Sequence, residues 1–141
     1  MDFSMVGPGI VLGLSCLGSS IGCANAGMAS HGVMIHMEEG HGKLIGLSAA
    51  PSTQAIFGFV LMIVMKNAIK AGSVSALSAL GIAIFIGTAL MGCAIYQGKV
   101  AATAIQATAK KPALFGKTFA AVGVVESFAI FAFVFTLLLI S

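Results

Sequence analysis

Long apolar runs and short polar stretches alternate along this chain, and four of the runs are long enough to cross a bilayer as helices, each needing about 20 mainly apolar residues. The pattern predicts helices over about Ser4 to Ala29, Leu44 to Lys70, Ser75 to Ala109 and Leu114 to Ile140. The first two are joined by the most polar stretch, His31 to Lys43, which predicts a solvated loop. Lys66, Lys70 and Gly72 close the second helix, Pro112 breaks the third, and Lys117 marks the start of the last. From Thr118 onward the final run carries a single charge, Glu126, near its middle. A charged side chain at that depth costs about 2.5–3.5 kcal/mol, so a carboxylate there points to a function.

Composition sharpens the class. Hydrophobic residues make up 59% of the 141, charged residues only 8%, and mean hydropathy is +1.10. The chain therefore reads as an all-α integral membrane protein of four crossings, with no separate soluble domain. All seven basic residues are lysines, and the net charge of +3 implies no nucleic-acid partner. Cys16, Cys23 and Cys93 lie in apolar runs and read as small packing residues. Met-Asp-Phe-Ser lacks a basic leader, so the first helix is expected to be retained. The three histidines stand five apart, about 140° on a helix, and share no metal-binding face.

Each helix adds polar or conformational detail. The first is rich in small residues, with Gly9/Gly13 and Gly18/Gly22/Ala26 four apart, a spacing that lets neighbouring backbones approach. It suits either the interior of a bundle or the inner wall of a curved ring. In the second, Pro51 removes a backbone donor and leaves a carbonyl one turn earlier without its usual partner, next to Thr53 and Gln54. In the third, Gln97 precedes Gly98 and Lys99, and residues from Ala101 to Lys111 become amphipathic and leave the bilayer. Gln54 lies 11 residues after Lys43, Gln97 13 before Lys110, and Glu126 9 after Lys117. At ~1.5 Å per residue these depths differ by about one turn, so three helices bring amide and carboxyl oxygens to one level. Lys43, Lys99, Lys110, Lys111 and Lys117 against Lys66 and Lys70 place both long turns in the cytoplasm and both termini outside, and Asp2 does not oppose this.

The chain also repeats itself. Ile21-Gly22-Cys23-Ala24 recurs as Met91-Gly92-Cys93-Ala94, and Gln54-Ala55-Ile56-Phe57 recurs 72 residues later as Glu126-Ser127-Phe128-Ala129. The sequence reads as one helical hairpin used twice, residues 1–72 and 73–141, within a single membrane domain. An even helix number makes the copies parallel. Only the second keeps a carboxylate.

With Pro51-x-Thr53-Gln54, Gln97-Gly98-Lys99-Val100 and Val125-Glu126-Ser127 in place, the whole chain resembles the proteolipid, or rotor-ring, subunit of V/A-type ATPases, most of all bacterial sodium-translocating members. The resemblance implies a homo-oligomeric ring in a bacterial plasma membrane. It also implies a membrane stator subunit and central-stalk subunits as partners, the latter meeting the His31–His41 loop. Carried over by position, the ion ligands are Thr53, Gln54, Gln97 and Glu126, with the Ala50 carbonyl as a fifth oxygen. The cargo is Na+ or, alternatively, H+; no organic cofactor is implied. Sodium-type relatives often carry a tyrosine where this chain has Phe57, which leaves Glu126 less tied down.

A proton needs only the carboxyl, whereas a hard cation needs several oxygens; Thr53, Gln54 and Gln97 favour sodium. The expected mechanism has Glu126 neutralised by its ion while facing lipid and exchanging it at the stator. The chain itself is expected to hydrolyse nothing, since Gly116-Lys117-Thr118 matches only the tail of a phosphate-binding loop and Lys111 stands where the first glycine belongs. The rival reading is a small four-helix transporter exchanging protons for a cationic substrate on Glu126.

Overall fold

The computed structural model describes residues 3–140; Asp2, used above for orientation, lies outside them. The chain is helical throughout: α1 (Val6–Met34), α2 (His41–Ala49), α3 (Thr53–Ala71), α4 (Ala76–Lys110) and α5 (Phe115–Ile140). Short 3₁₀ turns, Ala50–Ser52 and Pro112–Leu114, lead into α3 and α5. With the proline turns counted in, four spans among the described residues are long and apolar enough to cross a membrane: Val6–Met34, His41–Ala71, Ala76–Lys110 and Pro112–Ile140. The α4 helix has 35 residues, about 52 Å at 1.5 Å each, and so outruns a hydrocarbon core of about 30 Å.

The turns have local causes. Gly72 sits at φ 78°, a left-handed conformation that glycine adopts without a Cβ clash, and its N–H bonds back to Ala68 and Ile69. Ser75 then caps α4 by accepting from Ser78 N–H at 3.1 Å. At the other end Gly40, φ 84°, starts α2. Only residues 35–40 separate α1 from α2, so the solvated loop expected over His31 to Lys43 is shorter than its polarity implied. His31 lies in the last turn of α1 and His41 opens α2, its ring nitrogen 2.9 Å from the Met37 carbonyl. Tertiary packing extends the helices: Val33, Met34 and Met37 lie against a core of Ala26, Leu44, Leu47 and Ile105. Ser30 donates to the Leu44 carbonyl at 3.1 Å and meets Ser48 across the same hairpin. Thr108 and Thr118, 3.1 Å apart, link α4 and α5 similarly.

The most extensive helix pairing is α1 with α4, and glycine makes it possible. A Cβ at Gly18 would come within 2.5 Å of Met91 Cα, and one at Gly98 within 2.6 Å of the Gly22 carbonyl carbon. Such approach maximises contact where no hydrophobic effect drives helix association. The register is informative: Gly7 faces Ala79, Gly18 faces Met91 and Gly22 faces Ala94, offsets of 72 or 73 residues. These lie within a few residues of the 70 that separates Gly22-Cys23-Ala24 from Gly92-Cys93-Ala94, so corresponding stretches of two parallel copies run side by side. On the other side α1 packs against α3 through Ser15 and Gly58, and against the turn before α3 through Gly22 and Pro51. By contrast α3 and α5 touch sparingly, leaving a unit tight along α1–α4 and splayed on its other side. Gly9 and Gly13, expected to act like Gly18 and Gly22, instead face open space, because they sit on the opposite side of α1.

Gly22→Ala is expected to destabilise the protein by about 1–3 kcal/mol, since the backbone it meets cannot yield, whereas Gly46→Ala, where an added Cβ meets nothing, should be neutral or stabilising by up to about 1 kcal/mol. Thermal unfolding in detergent, followed by helical circular dichroism, measures both.

Candidate functional site

Pro51 lacks an N–H, so the second span cannot continue as a regular α-helix through it, and the chain tightens into a 3₁₀ turn before α3. The carbonyl expected to stand free one turn before the proline, that of Leu47, is in fact taken by the Ala50 N–H. The tighter turn re-satisfies it, as helix ends often do. The Ala50 carbonyl receives the Thr53 N–H and lies 3.2 Å from Thr53 Oγ1. Thr53 Oγ1 is also 3.3 Å from Gln54 Oε1. A hydroxyl has one proton, so it cannot donate fully to both oxygens. Three oxygens thus converge with a single hydroxyl hydrogen to share, besides the Thr53 N–H that the Ala50 carbonyl already accepts.

Gln54 and Gln97 are both fully buried, and Gln54 Nε2 donates to Gln97 Oε1 at 3.0 Å. Gln97 Nε2 in turn donates to the Val122 carbonyl at 3.3 Å. These contacts form a directional relay from α3 through α4 to α5. Its polarity follows from its last member, since a backbone carbonyl only accepts. Gln97 must therefore offer Val122 its NH₂ and turn its oxygen to Gln54. Gln54 must answer with its own NH₂, which leaves its oxygen beside Thr53. Every buried side-chain polar atom among the described residues has a partner.

Glu126 stands one turn beyond Val122 on the same face of α5, a stripe continued by buried Ala129 and Thr136. It is half-buried and, among the described residues, makes no hydrogen bond or ion pair. The structure thus joins Ala50, Thr53, Gln54 and Gln97 in one network and sets Glu126 beside its end without bonding it. Phe57 has no hydroxyl to hold the carboxylate, and its ring packs at a tilt against Phe133, centroids 5.2 Å apart. Neither nearby hydroxyl takes over. Ser127 donates to its own helix at Val124, and Tyr96 is 63% exposed with the Lys99 ammonium 4.9 Å above its ring.

Two members of the arrangement had no sequence signal as site residues. The Val122 carbonyl belongs to the backbone, which side-chain identity does not report. Ser19 read as one more small residue of the first helix, yet the buried hydroxyl accepts the Ala55 N–H at 3.0 Å, directly after Gln54.

The chain matches the family described as the ATP synthase C subunit twice, over residues 6–65 and 80–139. It is 33% identical over 142 residues to the V-type sodium ATPase subunit K of Enterococcus hirae, covering 99% of this chain and 91% of that one. It is also 33% identical over 135 residues to the A-type ATP synthase subunit K of Methanocaldococcus jannaschii, covering 96% of this chain but only 60% of that longer relative.

The amide relay is open to a double-mutant cycle. Replacing Gln54 or Gln97 singly by leucine should cost about 1–3 kcal/mol by leaving buried partners unpaired. Replacing both should cost less than the sum, with a coupling of about 0.6–1.7 kcal/mol for such a bond inside a membrane. Unfolding in mixed micelles gives the four stabilities required.

Proposed function

The chain belongs to the ATP synthase C-subunit family, and from that premise we propose that it is the proteolipid subunit of a V/A-type rotary ATPase, a multi-pass membrane protein whose copies close into a ring and carry Na+ on Glu126. The observation that carries this reading is the buried relay. Thr53, Gln54 and Gln97 come from three positions on two helices and meet one turn from the only carboxylate of the membrane spans. The ring is supported by the wedge of the fold and by the outward Gly9 and Gly13, which leave α1 a second small-residue face for a neighbouring copy.

While Glu126 faces lipid its charge is neutralised by the bound ion, because an ionised carboxylate there is costly. At a stationary membrane subunit, with a fixed positive charge and aqueous access from each side, the ion leaves and another enters. Rotation couples this exchange to ATP chemistry in soluble subunits, and this chain supplies the carrier and no catalytic group. Sodium is favoured over protons because a hard cation needs several oxygens and a proton needs one. To face the ion, the oxygens of Gln54 and Gln97 exchange their present donors, Thr53 Oγ1–H and Gln54 Nε2–H, for it. The name of the Enterococcus hirae relative points the same way. The lysine distribution supports cytoplasmic long turns, which puts the ends of α1 and α4 towards the central stalk.

The test is labelling of Glu126 by a hydrophobic carbodiimide, which attacks a protonated carboxyl. Na+ is expected to protect, and protection should weaken as pH falls, because protonation removes the charge that binds the cation. Glu126→Gln should abolish labelling. Labelling indifferent to Na+ at every pH would make this a proton ring.

A further inference from the structure

The first turn of α3 carries both Thr53 and Gln54, and beyond the Thr53 bonds to the Ala50 carbonyl it has no capping side chain of its own. An α-helix leaves its first N–H groups without intrahelical partners, and a side chain at its start commonly takes one of them. Here the residue in that place, Ser52, turns its hydroxyl back to the Ala49 carbonyl at 2.7 Å and caps nothing. Pro51, just before it, has no donor and accepts no side-chain bond. The bond comes instead from another helix: Ala55 N–H donates to Ser19 Oγ of α1 at 3.0 Å. Among the described residues this is the one side-chain hydrogen bond between α1 and α3. Ser19 is 95% buried, and along α1 it lies between two tight contacts, Ser15 against Gly58 of α3 and Gly22 against Pro51 in the turn that leads into α3.

We propose that Ser19 is a positioning residue of the ion site: from α1 it anchors the start of α3 in the rotation at which Thr53 and Gln54 direct their oxygens to the cation. The inference rests on the sodium reading above and adds to it a residue that touches no ion. Ala55 immediately follows Gln54, and successive residues turn by about 100° around a helix, so the place where α3 begins sets where the Thr53 hydroxyl and Gln54 amide point. A cation bound by several oxygens at narrow distances is sensitive to such rotation. Losing the hydroxyl strands the Ala55 N–H in a packed interface, and the turn shifts to recover an acceptor.

The test compares Ser19→Ala with Ser15→Ala. Ser15 is the same residue type one turn earlier and equally buried, but its hydroxyl bonds only its own helix, at Val11 and Leu12. In purified rings, the Na+ concentration that half-protects Glu126 from carbodiimide should rise about fivefold in Ser19→Ala, the factor expected for one lost hydrogen bond. It should stay at the wild-type value in Ser15→Ala. The pH dependence of labelling without Na+ should be the same in all three proteins, because Ser19 acts on the oxygens of α3 and not on the carboxyl. Ser19→Cys, which keeps the size but is a weak acceptor, should shift protection in the same direction and decides the matter if Ser19→Ala yields no ring. Wild-type protection in the Ser19 variants, or an equal shift in Ser15→Ala, overturns the proposal while leaving the sodium reading intact. Absence of Na+ protection in the wild-type ring overturns both.

Discussion

A backbone carbonyl can only accept, and in a membrane there is no water to change its options. That constraint, acting at Val122, orders the centre of this protein. It turns the Gln97 amide, which turns the Gln54 amide, which leaves an oxygen beside the Thr53 hydroxyl. Three helices are thereby registered to one another at one depth by groups that would each be costly to bury alone. The same chain of contacts that holds the helices together also gathers the oxygens next to Glu126. If the proposed site holds, stability and ion binding draw on the same atoms, and an arriving cation competes with the hydrogen bonds already present.

The second organising feature is the glycine contact between α1 and α4. Without side chains at Gly18, Gly22 and Gly98 the two backbones meet, and as the first helices of two parallel copies they run side by side within a few residues of the repeat register. Helices that face the centre of a tight ring have little room, while those outside have more, and the sparing contact of α3 with α5 fits that wedge. The α5 helix leaves Phe128, Phe131, Phe135 and Leu138 exposed, an apolar surface suited to lipid.

Much of this was legible in advance. Four crossings, the duplication, the common depth of Gln54, Gln97 and Glu126 and the family resemblance all follow from residue type and spacing. The departures have physical causes. The polar loop shrank to residues 35–40 because Val33, Met34 and Met37 found a core to pack against. The carbonyl before Pro51 was recaptured by a 3₁₀ turn. Gly9 and Gly13 share their spacing with Gly18 and Gly22 but not their side of the helix, and spacing alone does not say which side meets a neighbour.

What the sequence determined by itself is everything that depends on partitioning between water and lipid: span number, span length, the depth of each polar group and the likeness of the two halves. Only the tertiary structure decided which of those polar groups touch. Depth is a one-dimensional quantity set by hydropathy, whereas the Gln54–Gln97–Val122 relay and the Ser19–Ala55 bond depend on rotation about each helix axis and on atoms of the backbone. Those are fixed by how helices pack, and no side-chain alphabet records them.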